Sequence, residues 1–575
     1  MAAALGLVWG PVITGNAMAQ VAAVAPAAAP TATPAPANVQ GPAGSVVTNL
    51  IRQLVQEGVL TQEKAEALIR QAQDEAVTAE RSAAVPRAGV VTPMPADTSV
   101  RVPYVPQIVR NQIRDEVRQD VLREAREQNW AAPNAVPEWT KRFHLNGDFR
   151  LRYEWSLFDS RNSNAFPNFA ALNAGSPFDL NNAAGTPPPI LNTTQSRERM
   201  RIRARLGVSI DVNDDVVAGI RLATGNTTNP VTTNQTLGTT LNKYNFLLDR
   251  AFLLYRPADW AEFWMGRFAS PFMNTDLMWD DDIAMDGVAA RLTPKLGSKL
   301  SLLTVVGAFP IENTVFNFPD NTILKSPSRD KWLYAAQIGF NWQPARGYDF
   351  KLAAAYYQFN GIEGRLSAAC VANTAADPCN TDNSRPGFQQ QGNTLFAIRN
   401  LVSNATTPPL FQYYGLASSF RNLDITTRLD ISLDSDTHVV LDGDVVRNLA
   451  FSPKNILASS PVNNIGPNLG SAPGVFDGGK FGYQARITLG QPDIRERWEW
   501  NTSFAYKHLD SDAVPDAFTE SDFHLGGTNA KGYVVGVALG LAHNVNLSAR
   551  WLSASEVTSL PYTVDVVQVD LNARF

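Results

Sequence analysis

Five arginines occupy alternate positions in one short stretch of the chain, a spacing that would place five positive charges on one face of a strand. They are Arg197, Arg199, Arg201, Arg203 and Arg205. Alternate side chains of a strand share one face, so the guanidiniums would form a row at intervals of about 6.6–7 Å. Because such a row facing lipid would be strongly destabilising, we predict that it faces water.

Neighbouring segments extend this basic wall. Its further members are Arg150, Arg152 and Arg221. Two interpretations remain open at this point. The wall either presents free positive charge to solutes, or its arginines pair with carboxylates such as Asp148 and Glu154 and stiffen the structure.

A second stretch, 268–287, combines carboxylates with bulky apolar residues such as Phe272, Met278 and Trp279. The acids are Asp276, Asp280, Asp281, Asp282 and Asp286. An extracellular loop in free water has no use for so many apolar side chains, whereas a loop folded against a barrel wall does. We predict that residues 270–286 lie inside a barrel, with Asp280, Asp281 and Asp282 opposite the arginines. The spacing of a calcium-binding EF-hand is absent, so no metal is predicted.

The chain has two cysteines, Cys370 and Cys379, in a polar segment. We expect a disulfide that joins two parts of one loop in an oxidising compartment, and two free thiols are the alternative. The spacing fits no zinc site. The five histidines are scattered and none forms a recognisable nucleophile–base pair, so neither an enzyme nor a cofactor is predicted.

The elements that position these residues are strands. The segment 563–575 alternates apolar and polar residues, and fifteen similar segments precede it. We place the strands at 143–155, 197–210, 216–224, 246–256, 260–268, 286–293, 299–309, 332–342, 349–358, 421–433, 437–447, 481–489, 497–507, 533–541, 545–552 and 563–575. Two more strands within 359–420 would give eighteen.

Connections between these strands alternate between short turns and longer loops rich in Asn, Thr, Pro and Gly. Short turns on one rim, long loops on the other and an even number of strands are typical of a bacterial outer-membrane barrel. In the first strand, Phe143, Leu145 and Phe149 share the face predicted to contact lipid, and Asp148 and Arg150 share the other. The fold class is therefore an all-β transmembrane barrel of sixteen antiparallel strands with a water-filled interior.

Composition agrees with a barrel and excludes other classes. Hydrophobic residues make up 44% of the 575 and charged residues 18%, with a mean hydropathy of −0.16. A helical membrane protein would be more apolar and would contain apolar runs of about eighteen residues or more. The net charge of −5 is too small to indicate nucleic acid or another charged macromolecule as a partner.

The segments before the barrel have a different composition. We interpret 1–19 as a signal peptide that ends in Ala17-Met18-Ala19, and 20–46 and 81–106 as linkers rich in Ala and Pro. Residues 47–80 read as a pair of short helices. The stretch 107–130 reads as a charged amphipathic helix, which either lies solvated in the periplasm or oligomerises the protein. The barrel then occupies 141–575.

Two segments resemble the "putative porin" family of Proteobacteria: Trp264-Met-Gly-Arg-Phe-Ala-Ser-Pro-Phe-Met-Asn-Thr-Asp-Leu-Met-Trp-Asp-Asp-Asp282 and Leu509-Asp-Ser-Asp-Ala-Val-Pro-Asp-Ala-Phe-Thr-Glu-Ser-Asp-Phe-His-Leu-Gly-Gly-Thr-Asn529. The resemblance implies an outer-membrane channel. In general porins, which the chain resembles more distantly, the third loop narrows the lumen opposite an arginine cluster. The loop at 270–286 is also the third extracellular one, although it lacks the Pro-Glu-Phe-Gly-like turn of enterobacterial porins.

These observations predict an outer-membrane porin for passive diffusion of small hydrophilic solutes, with its N-terminal segment in the periplasm. The expected partners are outer-membrane lipid, the barrel-assembly machinery, the solutes and two further copies in a homotrimer, with peptidoglycan as a candidate for the N-terminal helices. The terminal aromatic residue, Phe575, resembles the signal that the assembly machinery recognises. The alternative is a structural, peptidoglycan-tethering or adhesion barrel with a blocked lumen.

Overall fold

The computed structural model describes residues 119–120, 123, 138–181, 185, 187–320, 322–403, 406, 408–466 and 474–575. The predicted signal peptide, the two linkers and the helical pair lie outside the described residues. Only residues 119, 120 and 123 of the predicted helix at 107–130 are described.

Sixteen long strands form the fold. They are β1 Phe143–Phe158, β2 Arg197–Asp211, β3 Val216–Ala223, β4 Leu247–Ala258, β5 Ala261–Ala269, β6 Ala284–Leu292, β7 Leu300–Glu312, β8 Lys331–Trp342, β9 Tyr348–Asn360, β10 Arg421–Ser432, β11 His438–Asn448, β12 Phe481–Gly490, β13 Trp500–Leu509, β14 Ala530–Ala542, β15 Val545–Glu556 and β16 Thr563–Arg574. Each begins and ends within a few residues of the strand predicted from alternation.

Each long strand pairs antiparallel with the next along the chain, and β16 pairs with β1. In this last pairing Arg152 lies opposite Asp570 and Asp148 lies opposite Arg574. A two-residue strand, Gln235–Thr236, pairs with Arg201 and Ile202 of β2, beyond the end of β3. The sheet therefore closes on itself, and the predicted sixteen-stranded antiparallel barrel is confirmed.

The described residues of the connection 361–420 add no strand to the barrel wall. Its short strands pair with each other or with the first extracellular loop; they are Leu395–Ala397, Phe411–Gln412 and Tyr414–Leu416. The α-helices in the described residues are Phe169–Ala174 and Pro453–Ala458, and the 3₁₀ helices are Glu138–Arg142, Asp382–Ser384, Asp516–Phe518 and Phe523–Leu525. No helix among them is long and apolar enough to cross a membrane.

Turns and loops segregate to opposite rims, but their lengths do not alternate strictly as predicted. The loop-rim connection 557–562 is shorter than two connections on the turn rim, 293–299 and 491–499. The sequence predicted that β13 starts at 497, but Trp498 has a φ of 73° and its N–H donates to the carbonyl of Gly540 on β14. Because this left-handed conformation interrupts an extended chain, the strand begins at Trp500.

Side chains alternate between the two faces of the wall. The outward residues Phe149, Ile425 and Phe504 are apolar and exposed, whereas the inward Arg152, Asp424 and Lys507 are buried. An apolar exterior around a polar interior is the pattern expected of a barrel surrounded by lipid.

The largest hydrophobic core lies inside the barrel. It joins inward side chains of β5, β7 and β9 to apolar residues of the connection after β5. The wall contributes Phe268, Val305, Phe309, Tyr357 and Phe359. The sequence predicted a wet interior, and the interior is indeed charged along β1 and β2, but beside β5–β9 it is apolar.

Candidate functional site

The connection between β5 and β6, residues 270–283, enters the lumen and is called the inward loop below. Its residues Leu277, Met278 and Trp279 are almost fully buried. The Trp279 ring lies 5.5 Å from that of Tyr357 on β9, measured between centroids. Burying each of these side chains stabilises the docked loop by roughly 1.5–3 kcal/mol.

A side-chain amide on β8 fixes the start of the inward loop. The Gln337 Oε1 atom accepts a hydrogen bond from the Met273 N–H at 2.8 Å, and its Nε2 donates to the Met273 carbonyl at 2.7 Å. Gln337 is buried, so both of its polar groups are satisfied only while the loop is docked.

Asp282 joins the end of the inward loop to the basic wall. Its Oδ1 lies 3.1 Å from Arg205 Nη1 and 3.8 Å from Arg203 Nη1. Its Oδ2 accepts hydrogen bonds from the Thr233 N–H at 2.9 Å and the Thr233 hydroxyl at 3.1 Å. Burial opposes its ionisation, but Arg203, the Thr233 amide and Arg205 outweigh burial and hold the pKa of Asp282 below its usual value.

Asp276 anchors the middle of the loop on the opposite wall. Its Oδ2 accepts a hydrogen bond from Arg486 on β12 at 2.8 Å, and Lys507 on β13 lies 3.8 Å from its Oδ1. Burial raises the pKa of Asp276, but the charges of Lys507 and Arg486 have the larger net effect and lower it. The inward loop is thus held by ion pairs to both sides of the lumen.

The other predicted acids have different surroundings. Asp280 accepts hydrogen bonds from the N–H groups of Ser521 and Asp282, and burial followed by the charge of Asp282 raises the pKa of Asp280 to about 8. Burial and the charge of Asp276 also raise the pKa of Asp281. Asp286 belongs to β6 and pairs with Arg267 on β5 at 3.0 Å. Of these acids, Asp282 is the one in contact with the predicted arginines.

Most of the predicted arginines bind carboxylates of neighbouring strands. Arg199 and Arg201 lie 2.5 and 3.6 Å from Glu154. Arg203 and Arg205 both bind Asp148, at 2.8 and 2.6 Å. Pairing of this kind agrees with the second interpretation of the basic wall, in which its arginines bind carboxylates.

The remaining arginines differ in their pairing. Arg152 is almost fully buried and binds Asp570 at 2.8 Å and Asp522 at 2.9 Å. Arg221 binds Asp249. Arg150 donates from Nε to the Asn572 side chain, and Arg197 is exposed at the outer end of β2.

The sequence assigned no position in the lumen to residues 510–529, which we call the capping loop. Asp522 reaches Arg152 and also Arg550, at 2.6 Å. The Phe518 carbonyl accepts a hydrogen bond from the Asp280 N–H at 2.8 Å, and the Phe518 ring lies 5.5 Å from Trp279. Like the inward loop, this segment mixes aromatic residues with acids, and that signal could have identified it.

Two cavities lie beside the inward loop. The outer cavity, about 700 Å³, has an apolar side that includes Trp279, Phe309 and Phe518. Its remaining lining is polar and charged, with the residues Thr232, Thr233, Asp249, Arg267, Asp286, Glu312, Lys331 and Asp516. The inner cavity, about 660 Å³, touches residues 270–275 and the periplasmic halves of β6–β11, including Arg291 on β6 and Arg428 on β10. No group of three or more acidic, cysteine or histidine residues suited to a metal occurs in the described part of the chain.

The other predicted sites lie at the loop rim and at the barrel seam. The Sγ atoms of Cys370 and Cys379 are bonded in the connection 361–420. Phe575 exchanges two backbone hydrogen bonds with Gly147 on β1, both of 3.0 Å, at the seam between the first and last strands.

The fold is a closed sixteen-stranded barrel with an apolar exterior and with its turns and loops on opposite rims. Its lumen is charged and is crossed by the inward loop. These features define an outer-membrane channel of the porin class. A family model described as "Putative porin" matches residues 44–575. The chain therefore belongs to this family, and the resemblance noted in its sequence is confirmed.

Several solved outer-membrane channels are similar in structure. DcaP of Acinetobacter baumannii is 10% identical, with 75% of this chain and 97% of that chain covered and a TM-score of 0.36. OprB of Pseudomonas putida is 9% identical, with coverage of 76% and 94% and a TM-score of 0.40. OmpF of Salmonella typhi is 10% identical, with coverage of 75% and 97% and a TM-score of 0.36. No curated protein sequence matches the chain significantly.

Proposed function

We propose that the protein is a diffusion porin, through which small hydrophilic solutes cross the outer membrane passively past the inward loop. The observation that carries this proposal is the contact of Asp282 with Arg203 and Arg205 at 3.8 and 3.1 Å, in a lumen with cavities beside the loop. Opposite charges fixed on the loop and on the wall create a transverse field in the adjoining lumen. Such a field favours polar solutes that align their dipoles and hinders apolar ones.

A second candidate is a structural or adhesion barrel with a blocked lumen, tethered to peptidoglycan through its N-terminal segment. The hydrophobic core inside the barrel favours it, because Trp279, Phe518 and Phe359 form aromatic contacts between the wall and two loops. The two candidates differ in one measurable property. A diffusion porin conducts ions in a bilayer, and a blocked barrel does not.

Single-channel recording of the purified protein in planar bilayers tests the proposed function. We expect stepwise ohmic conductance and a reversal potential across a salt gradient. The triple variant Arg199→Ala, Arg201→Ala, Arg203→Ala should shift the reversal potential toward cations, and replacing Asp280, Asp281 and Asp282 with Asn should shift it toward anions. Arg495→Ala, in a periplasmic turn, is the matched control and should leave it unchanged. Absence of conductance in the unmodified protein would favour the blocked barrel.

The assembly that we propose is a homotrimer in outer-membrane lipid, inserted by the barrel-assembly machinery, with residues 47–130 in the periplasm near peptidoglycan. The support is membership in a porin family together with the apolar stripe of residues 107–130. Chemical crosslinking should yield a trimer, and deletion of residues 45–130 should leave a barrel that still inserts. Crosslinking that never exceeds a monomer would contradict the trimer.

A further inference from the structure

Three basic side chains, called the rim cluster below, lie close together on the outer surface of the barrel at the loop rim of β10–β12. Arg421 begins β10, Arg447 is the last outward residue of β11, and Lys480 directly precedes β12. Arg421 and Arg447 are exposed, whereas the next residues, Asn422 and Asn448, are buried and face the lumen. The lipid-facing surface therefore carries positive charge at this rim.

Strand pairing brings the three cations of the rim cluster together. The Leu449 N–H donates to the Arg421 carbonyl at 2.7 Å, so Arg421 lies diagonal to Arg447. Diagonal residues on one face of an antiparallel pair are about 7–8 Å apart. Arg447 lies opposite Phe481, and its guanidinium carbon is 5.3 Å from the centroid of the Phe481 ring. Because the Lys480 Nζ lies 5.7 Å from the same centroid, two cations contact one aromatic ring.

The rim cluster has no carboxylate partner in the described part of the chain. Its three side chains form no ion pair or hydrogen bond there. The acid beside Phe481 is Asp510, and both of its oxygens are in use. Its Oδ1 lies 2.9 Å from His508 Nε2, and its Oδ2 accepts a hydrogen bond from the Phe481 N–H at 3.0 Å. Neighbouring like charges on a sheet are destabilising without a counter-ion, so the cluster requires an external anion.

The rim cluster lies at the height of lipid head groups. Outward tyrosines of β12, β13 and β14 are in contact, with ring centroids 6.1 Å apart for Tyr483 and Tyr506 and 5.2 Å apart for Tyr506 and Tyr533. Aromatic girdles of this kind mark the membrane interface of outer-membrane barrels. Phe481 is two residues nearer the loops than Tyr483, a rise of about 6.6–7 Å. The cations beside Phe481 therefore lie just outside the girdle, where the lipid head groups begin.

Apolar side chains continue from the rim cluster toward the middle of the membrane. The next outward residues are Leu423 on β10, Val445 on β11 and Tyr483 on β12, and all three are exposed. Leu423 lies opposite Arg447, and Val445 lies opposite Tyr483, so they form one continuous surface. A lipid bound here places its head group against the cations and its acyl chains along these side chains. A soluble anion uses the cations alone, so the arrangement favours a lipid.

We propose that the rim cluster is a binding site for the phosphate group of an anionic lipid in the outer leaflet. A phosphate monoester fits it best, because such a group carries a charge of about −1.5 to −2 at neutral pH and three acceptor oxygens. Arg421 and Arg447 offer the planar donor pairs that bind phosphate, and Lys480 adds a point charge. The inference goes beyond the proposed channel function and does not depend on it.

The test measures lipid binding to the full-length protein in a neutral detergent by native mass spectrometry. The probe is dioleoyl phosphatidic acid, and dioleoyl phosphatidylcholine is its zwitterionic counterpart. We expect saturable binding of phosphatidic acid, at least about tenfold tighter than that of phosphatidylcholine. The triple variant Arg421→Gln, Arg447→Gln, Lys480→Gln should weaken binding of phosphatidic acid at least about tenfold, because it removes all three cations.

Arg497→Gln is the matched control. Arg497 also lies over an outward aromatic ring, with its guanidinium carbon 4.8 Å from the centroid of Trp498, but at the turn rim and without neighbouring cations on that ring. Its substitution should weaken binding of phosphatidic acid less than about twofold. Inorganic phosphate at the same concentration as the lipid should not displace the lipid, because phosphate lacks the acyl chains.

Two results would overturn the proposal. The first is a triple variant that keeps its affinity for phosphatidic acid or loses no more of it than Arg497→Gln does. The second is displacement of the lipid by inorganic phosphate, which would indicate a site for soluble anions. Heat-modifiable gel mobility verifies that the variants are folded. If the triple variant does not fold, Arg447→Lys decides, because it keeps the charge but loses the planar donor pair and should weaken binding at least about threefold. An unchanged affinity of Arg447→Lys would then contradict the site.

Discussion

Asp280 and Asp282 lie two residues apart in the inward loop and have opposite titration behaviour. Asp282 is surrounded by Arg203, Arg205 and the Thr233 amide, which keep its pKa low despite burial. Asp280 faces backbone N–H groups near the acids Glu520 and Asp522, and burial together with Asp282 raises its pKa to about 8. The two carboxyl groups therefore make docking of the loop depend on pH in opposite directions.

The first prediction concerns pH and Asp280. A carboxyl group whose pKa is raised from 3.8 to about 8 on docking stabilises the docked loop fully below pH 4, and this stabilisation is lost as the pH rises to 8. We expect protease cleavage within residues 270–283 to increase between pH 5 and pH 8. Asp280→Asn, neutral at every pH, should flatten this dependence. A control variant, Asp286→Asn, should not, and equal slopes in all three proteins would contradict the assignment.

At the scale of elements, the capping loop completes the docking of the inward loop. Phe518 contacts Trp279 and stacks on Phe359 with ring centroids 5.9 Å apart, so it bridges the inward loop and β9. Residues of the connection 361–420 hold the capping loop in turn, since Asn393 donates to the carbonyls of Ser511 and Val514 at 2.6 and 2.9 Å. Three connections thus meet in one lumen.

The second prediction is that Phe518→Ala loosens the inward loop without unfolding the barrel. Loss of two aromatic contacts should destabilise the docked state by about 1–3 kcal/mol. We expect larger single-channel conductance with more frequent current fluctuations. Phe451→Ala is the matched control, because Phe451 stacks on Phe476 in the connection 449–480. An unchanged conductance trace in Phe518→Ala would show that the capping loop does not restrain the inward loop.

The third prediction concerns the disulfide. Cys370 and Cys379 close a short segment of the connection 361–420, and chain entropy predicts that the bond stabilises the loop by about 3 kcal/mol. Peptide mapping without reductant should recover the linked pair, and the double variant Cys370→Ser, Cys379→Ser should be cleaved faster by protease within this connection. Alkylation of both thiols in the absence of reductant would contradict the bond.

The strands were predictable from the sequence because one face of each contacts lipid and the other faces a polar lumen. Apolar and polar residues therefore alternate within every strand. The packing of residues 270–283 against apolar side chains was predictable by the same logic, since Met278 and Trp279 need an apolar partner. The capping loop was missed because its path depends on Asp522 meeting Arg152 and Arg550, a contact between residues far apart in sequence.

At the scale of the whole molecule, the lumen wall has two unlike sides. The strands β1 to β4 present guanidiniums and carboxylates, whereas β5, β7 and β9 present the aromatic residues against which the inward loop docks. The loop is therefore fixed by apolar burial on one side and by ion pairs on the other. The apolar side holds the loop against β5, β7 and β9, and Asp282 holds it against β2.

The last prediction concerns the seam that closes the barrel. Phe575 and Gly147 exchange two backbone hydrogen bonds, and a Cβ atom at Gly147 would lie 2.5 Å from both the Phe575 ring and the Arg205 carbonyl. The ring thus covers the glycine, as aromatic residues do on strands that would otherwise expose their backbone. We expect Gly147→Val to lower the folded, heat-modifiable fraction of protein refolded into detergent. Gly443→Val, whose added Cβ would meet only the flexible Thr427 side chain at 2.9 Å, should lower it less.

Substitutions of Phe575 distinguish two roles of its ring, which are packing at the seam and recognition by the assembly machinery. Refolding into detergent requires no machinery, so a seam role predicts that Phe575→Ala refolds poorly there. A role as an assembly signal predicts normal refolding in detergent and poor insertion in cells. Because the ring lies directly over Gly147, we expect a refolding defect in detergent, with Phe575→Trp restoring folding and Phe575→Leu restoring it in part. Normal refolding of Phe575→Ala would leave the assembly signal as its role and would contradict the seam contribution.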